Sequence, residues 1–383
     1  MHTHASPRCS GFVGSRLTSA LHVRLLLLAT IASTLFALPV GAQRNPTGSS
    51  SASRLDGRTF APDSFWVQKW LRGGPKEEDL FVEPRHVVAT DGTLAVLDLG
   101  TREVHLLSLS NGTTKRLMKA AGSGPGEFKQ PFLIVRDRER LGVLDYANAR
   151  MTMFTSSGAL AWDAPVRQAA ITESACAFSG ARVLLKGQGK RDALMVIDSS
   201  GAVLRRFSMP DTTGRERDTF GASAVLAGPS PSDRCAIAPL FGARWYTTDP
   251  QGRISTHRYV EPGAEPSVEV DAKRIEGTGR KGAFKVVQKA TVDPITRSAH
   301  QIGDTLIVAA AVTTRDALRL LDYYLMSSGR YLYSRRLPTI LSALSIGKDG
   351  TFYAANIDAQ SSWVVAFTPS RTPPVPAAKR GQR

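Results

Sequence analysis

Between Ala121 and Leu160 short apolar runs alternate with breaks made of turn-forming residues. Phe132-Leu133-Ile134-Val135 is followed by polar Arg136 to Arg140, then Leu141-Gly142-Val143-Leu144-Asp145, then Met151-Thr152-Met153-Phe154. Each run has strand length, and the breaks carry Gly, Asn, Asp or Ser, which reverse a chain readily. The pattern predicts one small antiparallel meander. Weaker copies recur, and six units can be set out along the chain. The first takes Arg85 to Ala89, Leu94 to Asp98, Glu103 to Leu109 and Thr114 to Met118. The second is the stretch above, ending with Leu160 to Val166. The third runs from Ser174 to Met209, the fourth from Ala222 to Val260, and the fifth from Ala299 to Leu337. The sixth has only three strands, Leu341 to Ile346, Thr351 to Asn356 and Ser362 to Phe367, while Phe65 to Leu71 is a strand without a unit.

Pairing that early strand with Ser362 to Phe367 completes the sixth unit and removes the open edge of a linear array. The expected fold is therefore all-β, a six-bladed β-propeller over residues 64–369, closed by an N-terminal strand that completes the last blade. A closed repeat architecture holds this many residues in one domain.

Four segments fall outside the repeats. Residues 1–42 read as a signal peptide: Arg8, Arg16 and Arg24 lead into the apolar run Leu25 to Leu38, and Pro39-Val40-Gly41-Ala42 offers a cleavage site. The run is short for a membrane span, and no later stretch is long and apolar enough for one, so the mature chain is expected to be secreted or periplasmic. Residues 43–63 read as a flexible, Ser-rich linker. Residues 267–294 are a basic insertion between the fourth and fifth units, with a helix-like middle at Gly282 to Ala290. Residues 370–383, with Pro373, Pro374 and Pro376, read as a disordered tail.

Charge and cysteines narrow the partners. The formal charge is +16, and losing the three signal-segment arginines leaves +13, spread in small clusters. That excess favours loose association with anionic surfaces, but no basic run interleaved with aromatics is present, and export argues against nucleic acid as a partner. The mature chain keeps Cys176 and Cys235. They are compatible with one disulfide or with two separately buried thiols.

The second unit carries a motif: Gly122, Gly124, Gly126, Glu127, Phe128, Pro131, Asp145, Asn148, Arg150 and Phe154. It resembles an NHL repeat, the blade unit of six-bladed propellers. Asp98 to Val104 matches in part, without the Asn, and the later units match only in strand rhythm. Gly122, Gly124 and Gly126 suit positive φ in the link between blades. Phe128 suits a wedge between sheets, and Pro131 the start of an innermost strand. Asp145 and Arg150 flank a turn where they can pair or cap backbone groups. These are scaffold roles.

Function must be argued from the site, since fold does not fix it. His86 and His300 both begin an innermost strand in this alignment and are expected at the channel. They are the candidate ligand contacts, with Arg280 and Lys281 from the insertion. Two histidines invite comparison with a metal-dependent hydrolase or lyase, but zinc needs a third protein ligand, and calcium needs several converging carboxylates. The inner strands offer mostly Val, Ala, Leu, Ile and Ser. No nucleophile elbow or Walker-type loop appears. The expectation is a non-catalytic module without cofactor or metal, binding a protein, peptide or glycan through its channel-mouth loops. The alternative is a metal-dependent hydrolase or lyase in the central channel.

Overall fold

The computed structural model describes residues 57–371 apart from short internal stretches, the longest being 167–171, 188–193, 209–223, 262–267, 275–283, 291–295 and 311–318. The expected signal peptide and most of the linker and tail lie outside these. Among the described residues, twenty-six strands form six four-stranded antiparallel sheets and one hairpin. β1 is Phe65–Gly73. Blade one holds β2 (Pro84–Ala89), β3 (Thr93–Asp98), β4 (Glu103–Ser108) and β5 (Thr114–Met118). Blade two holds β6 (Pro131–Asp137), β7 (Arg140–Asp145), β8 (Arg150–Phe154) and β9 (Leu160–Pro165). Blade three holds β10 (Thr172–Phe178), β11 (Arg182–Gly187), β12 (Leu194–Ile197) and β13 (Val203–Phe207). Blade four holds β14 (Ala224–Ala227), β15 (Cys235–Pro239), β16 (Arg244–Thr248) and β17 (Ile254–Arg258). A hairpin of β18 (Val268–Arg274) and β19 (Phe284–Ala290) follows. Blade five holds β20 (Thr296–Ile302), β21 (Thr305–Ala310), β22 (Leu320–Leu325) and β23 (Tyr331–Arg336). β24 (Ala343–Ile346), β25 (Phe352–Ile357) and β26 (Ser362–Ser370) begin blade six.

Blade six is finished by β1, which lies outside β26 with register running from Phe65↔Ser370 to Gly73↔Trp363. The expected closure is thus the one observed, and aromatic packing locks it. Trp66 meets Phe352 and Phe367 edge-on, each at 5.0 Å between ring centres. Trp70 is buried and its indole N–H donates to the Leu109 carbonyl of blade one at 2.9 Å, so the closing strand also holds the neighbouring blade.

The core lies between blades. Ala95, Leu97, Val104, Leu106 and Met118 of blade one pack on Ile134, Leu141, Val143 and Phe154 of blade two, with Phe128 between them. Phe128 is 1% exposed and meets Phe154 at 5.8 Å; burying such a ring is worth about 2–3 kcal/mol. Cys176 on β10 and Cys235 on β15 form a disulfide across the buried seam between blades three and four, with Cα atoms 6.2 Å apart.

Residues just before β1 are tied to blade five. The Arg58 guanidinium makes two bonds to Asp322 (2.9 and 2.8 Å) and also pairs with Glu261, and its side chain is 2% exposed. Thr59 and Ala61 exchange backbone hydrogen bonds with Ser334 on β23. The end of the segment read as a linker is therefore anchored.

The insertion departs from its expected helix. Gly282 to Ala290 spaces Ala283, Val286, Val287 and Ala290 as a helix would, yet Phe284–Ala290 pairs with Val268–Arg274 in full register. A partner strand that alternates Val268, Val270 and Ala272 overrides the short helical period.

Candidate functional site: the central channel and its scaffold

The inner strands β2, β6, β10, β14, β20 and β24 neighbour one another in that order and close the ring. Four of them carry the same irregularity after their first residue: Pro84/His86, Pro131/Leu133, Thr172/Ser174 and Thr296/Ser298. Such bulges re-aim side chains at a sheet edge, and here they fix a common level along the channel.

On that scale His86 is third in β2, whereas His300 is fifth in β20. Of the two, His86 alone sits near a strand start. The extra residues Thr296 to Ser298 precede His300 in the strand, which the sequence pattern begins at Ala299. The two histidines therefore lie at different depths, on different strands. His86 approaches the Phe132 ring at 6.5 Å. His300 Nε2 lies 3.1 Å from Ser298 Oγ. Both are half-buried. Burial and the nearby Arg85 charge push His86 down to about 4, and burial and the Arg136 charge do the same to His300, also to about 4. Both are neutral at pH 7. Among the described residues no three His, Cys, Asp or Glu side chains converge as a metal site would require. Arg280 and Lys281 lie outside the described residues.

Sequence reasoning misses one inner-strand residue: Arg136, sixth in β6. It ends an apolar run and reads as the start of a polar break. In the structure it continues the strand, is half-buried, and donates through Nη1 to the Ala89 carbonyl of β2. Ala89 in turn donates its N–H to Ser345 Oγ of blade six at 2.9 Å. His105 and His257, by contrast, pack on rings, His105 at 5.1 Å from Phe81 and His257 at 4.2 Å from Trp245.

The motif residues of blade two form a hydrogen-bonded cradle. Asp145, 1% exposed, accepts from the backbone N–H groups of Lys129, Gln130 and Asn148. Such bonds satisfy a buried carboxylate without a cation. Asn148 Nδ2 donates to the Gly122 carbonyl at 3.0 Å, and Arg150 reaches the Ser123 and Gly124 carbonyls and Asp163. Pro131 opens β6 opposite Asp145. Blade one repeats the device: buried Asp98 accepts from Val82, Glu83, Gly100 and Thr101, and Pro84 opens β2 opposite it.

The glycines divide differently from expectation. Gly126 has φ +79°, but Gly122 and Gly124 do not adopt positive φ. Each lies against the far end of the Glu127 side chain, which makes room for a Cβ only by giving up its bond to the Gly124 N–H. A Cβ at either would meet Glu127 Oε2 at 2.6 or 2.9 Å, because Glu127 folds back to accept the Gly124 N–H at 2.7 Å.

No protein-family model matches this chain, and no curated protein sequence matches it. Solved structures do. A Bacteroides fragilis protein described as exported aligns with a TM-score of 0.50 and 12% identity, over 80% of this chain and 96% of that one. Virginiamycin B lyase from Staphylococcus aureus aligns with a TM-score of 0.46 and 10% identity, over 80% of this chain and 100% of that one. Together with six four-stranded sheets in a ring, the first of these likenesses makes the chain a β-propeller, and at such identity it speaks to fold alone.

Proposed function

We propose that this chain is an exported, non-catalytic β-propeller module that engages a protein, peptide or glycan through the loops around its channel. The observation that carries the reading is the rigid frame: a ring sealed by β1, with buried carboxylates capping its turns. Loops held by such a frame are where binding residues concentrate. Export is supported by the Cys176–Cys235 disulfide, since such bonds persist in oxidising compartments, and by the basic, then apolar, N-terminal segment. The matching cradles of Asp98 and Asp145 support reading blades one and two as NHL-type repeats. The mature chain is tested by elemental analysis and an ester, lactone and lyase turnover screen. The reading expects neither stoichiometric metal nor turnover. Metal-dependent turnover lost on His86→Asn or His300→Asn overturns it in favour of the hydrolase or lyase.

A further inference from the structure

We propose that the central channel holds an anionic group, a carboxylate or a phosphate, between Arg136 of blade two and His300 of blade five. The proposal rests on the binding-module reading and gives its site a ligand chemistry. In the ring order β2, β6, β10, β14, β20, β24, strands β6 and β20 stand three places apart, so these two residues come from opposite walls. Arg136 is sixth in its strand and His300 fifth, an offset of about 3.3 Å along the channel.

Among the described residues, Arg136 is a guanidinium without a close counter-charge. Its hydrogen bond goes to the neutral Ala89 carbonyl. The acid that acts on it, Asp91, is held by Lys348 at 2.6 Å. Burial lowers its pKa, which marks incomplete compensation. A planar fork with N–H donors to spare in a confined space is the group that recognises carboxylate or phosphate bidentately. His300 adds a second donor: Ser298 Oγ engages Nε2, leaving Nδ1 for the ligand.

The arrangement also predicts a proton. Without ligand, His300 is neutral because it is buried and faces a positive charge. An anion placed between the two side chains offsets that charge and favours the imidazolium. The other described charged or titratable groups nearby are His86, the Asp137–Arg140 pair that follows Arg136 in β6, the Arg85–Glu83 pair and the Asp91–Lys348 pair. The inner strands next to β20, β14 and β24, carry neither charge nor histidine.

The test is titration of the full mature chain at pH 5.5 with inorganic phosphate and, separately, acetate. Histidine ring resonances are followed by NMR, and heat is measured in two buffers of different ionisation enthalpy. The expected result is saturable movement of the His300 resonances below about 50 mM ligand, with proton uptake. Arg136→Gln is expected to weaken binding about tenfold or more, Arg136→Lys less, and exposed Lys115→Gln not at all. Preference for phosphate or for acetate assigns the class. No movement at His300 with either probe, or binding equally strong in Arg136→Gln, overturns the proposal. Absence of binding together with absence of turnover defeats only the anion site. Turnover with intact anion binding defeats only the non-catalytic reading.

Discussion

Replacing both Cys176 and Cys235 by alanine tests how far the seam between blades three and four depends on its covalent link. The cysteines are 59 residues apart in sequence. A cross-link closing a loop of about 60 residues removes roughly 14 cal/mol/K of unfolded-chain entropy, about 4 kcal/mol at 25 °C. For a domain of about 300 residues the unfolding entropy is near 0.6 kcal/mol/K, so the loss corresponds to a Tm lower by about 7 °C. Both side chains are buried, 2% and 0% exposed, and alanine leaves only a small void beside Phe178 and Ile237, so most of the effect belongs to the lost link. The assay is calorimetry of parent and double variant, with thiol titration of the native parent. A Tm within about 1 °C of the parent's, a small fraction of that shift, or two thiols titrating in the native protein, would show that the seam does not depend on a covalent link.

Three further outcomes follow from the same structure. Asp145→Ala leaves the N–H groups of Lys129, Gln130 and Asn148 without their acceptor, and should lower unfolding free energy by about 3–5 kcal/mol in a denaturant titration, a loss below about 1 kcal/mol removing the cradle from the account. Arg58→Met strands buried Asp322 beside Glu261 and should cost about 3–5 kcal/mol, read as an earlier thermal transition. His86 and His300 have folded pKa values of about 4, below their unfolded value near 6.5. The unfolded chain therefore takes up protons first, and stability is lost as pH falls from about 6.5 to about 4, by roughly 1–2 kcal/mol per histidine once their partial exposure is discounted. The double variant His86→Asn/His300→Asn should flatten most of that slope, with His257, also lowered, supplying the remainder.

The scaffold is more legible than the site, for physical reasons. Strands announce themselves through runs such as Leu141 to Leu144, and a missing fourth strand in the last unit points straight to Phe65–Gly73. A ring must use every edge, so counting strands is enough. Asp145 is recognisable because capping a turn is local. The insertion misleads because β19 acquires its identity from β18, beyond the reach of a local period. Gly122 and Gly124 look like conformational glycines, yet neither has positive φ and both lie against the returning Glu127 side chain, which no glycine pattern encodes. The channel is least legible. The level of His300 depends on a bulge after Thr296, and the importance of Arg136 depends on a residue opposite it in the ring. A continued alternation through Ile134 and Arg136 is the one available signal.

The last blade joins both ends of the fold and closes the ring. That closure can be trapped with the pair Val67→Cys/Thr368→Cys, residues placed opposite each other in β1 and β26. Directly opposed antiparallel residues have Cα atoms about 4.5–5.5 Å apart, within the roughly 4.4–6.8 Å that a disulfide spans. Under mild oxidation, peptide mapping should show one new intramolecular disulfide between positions 67 and 368 in nearly all molecules, and none in a control pairing Val67→Cys with Leu204→Cys, an exposed site on β13. No link between those two positions, or linkage as frequent in the control, would contradict the closed ring.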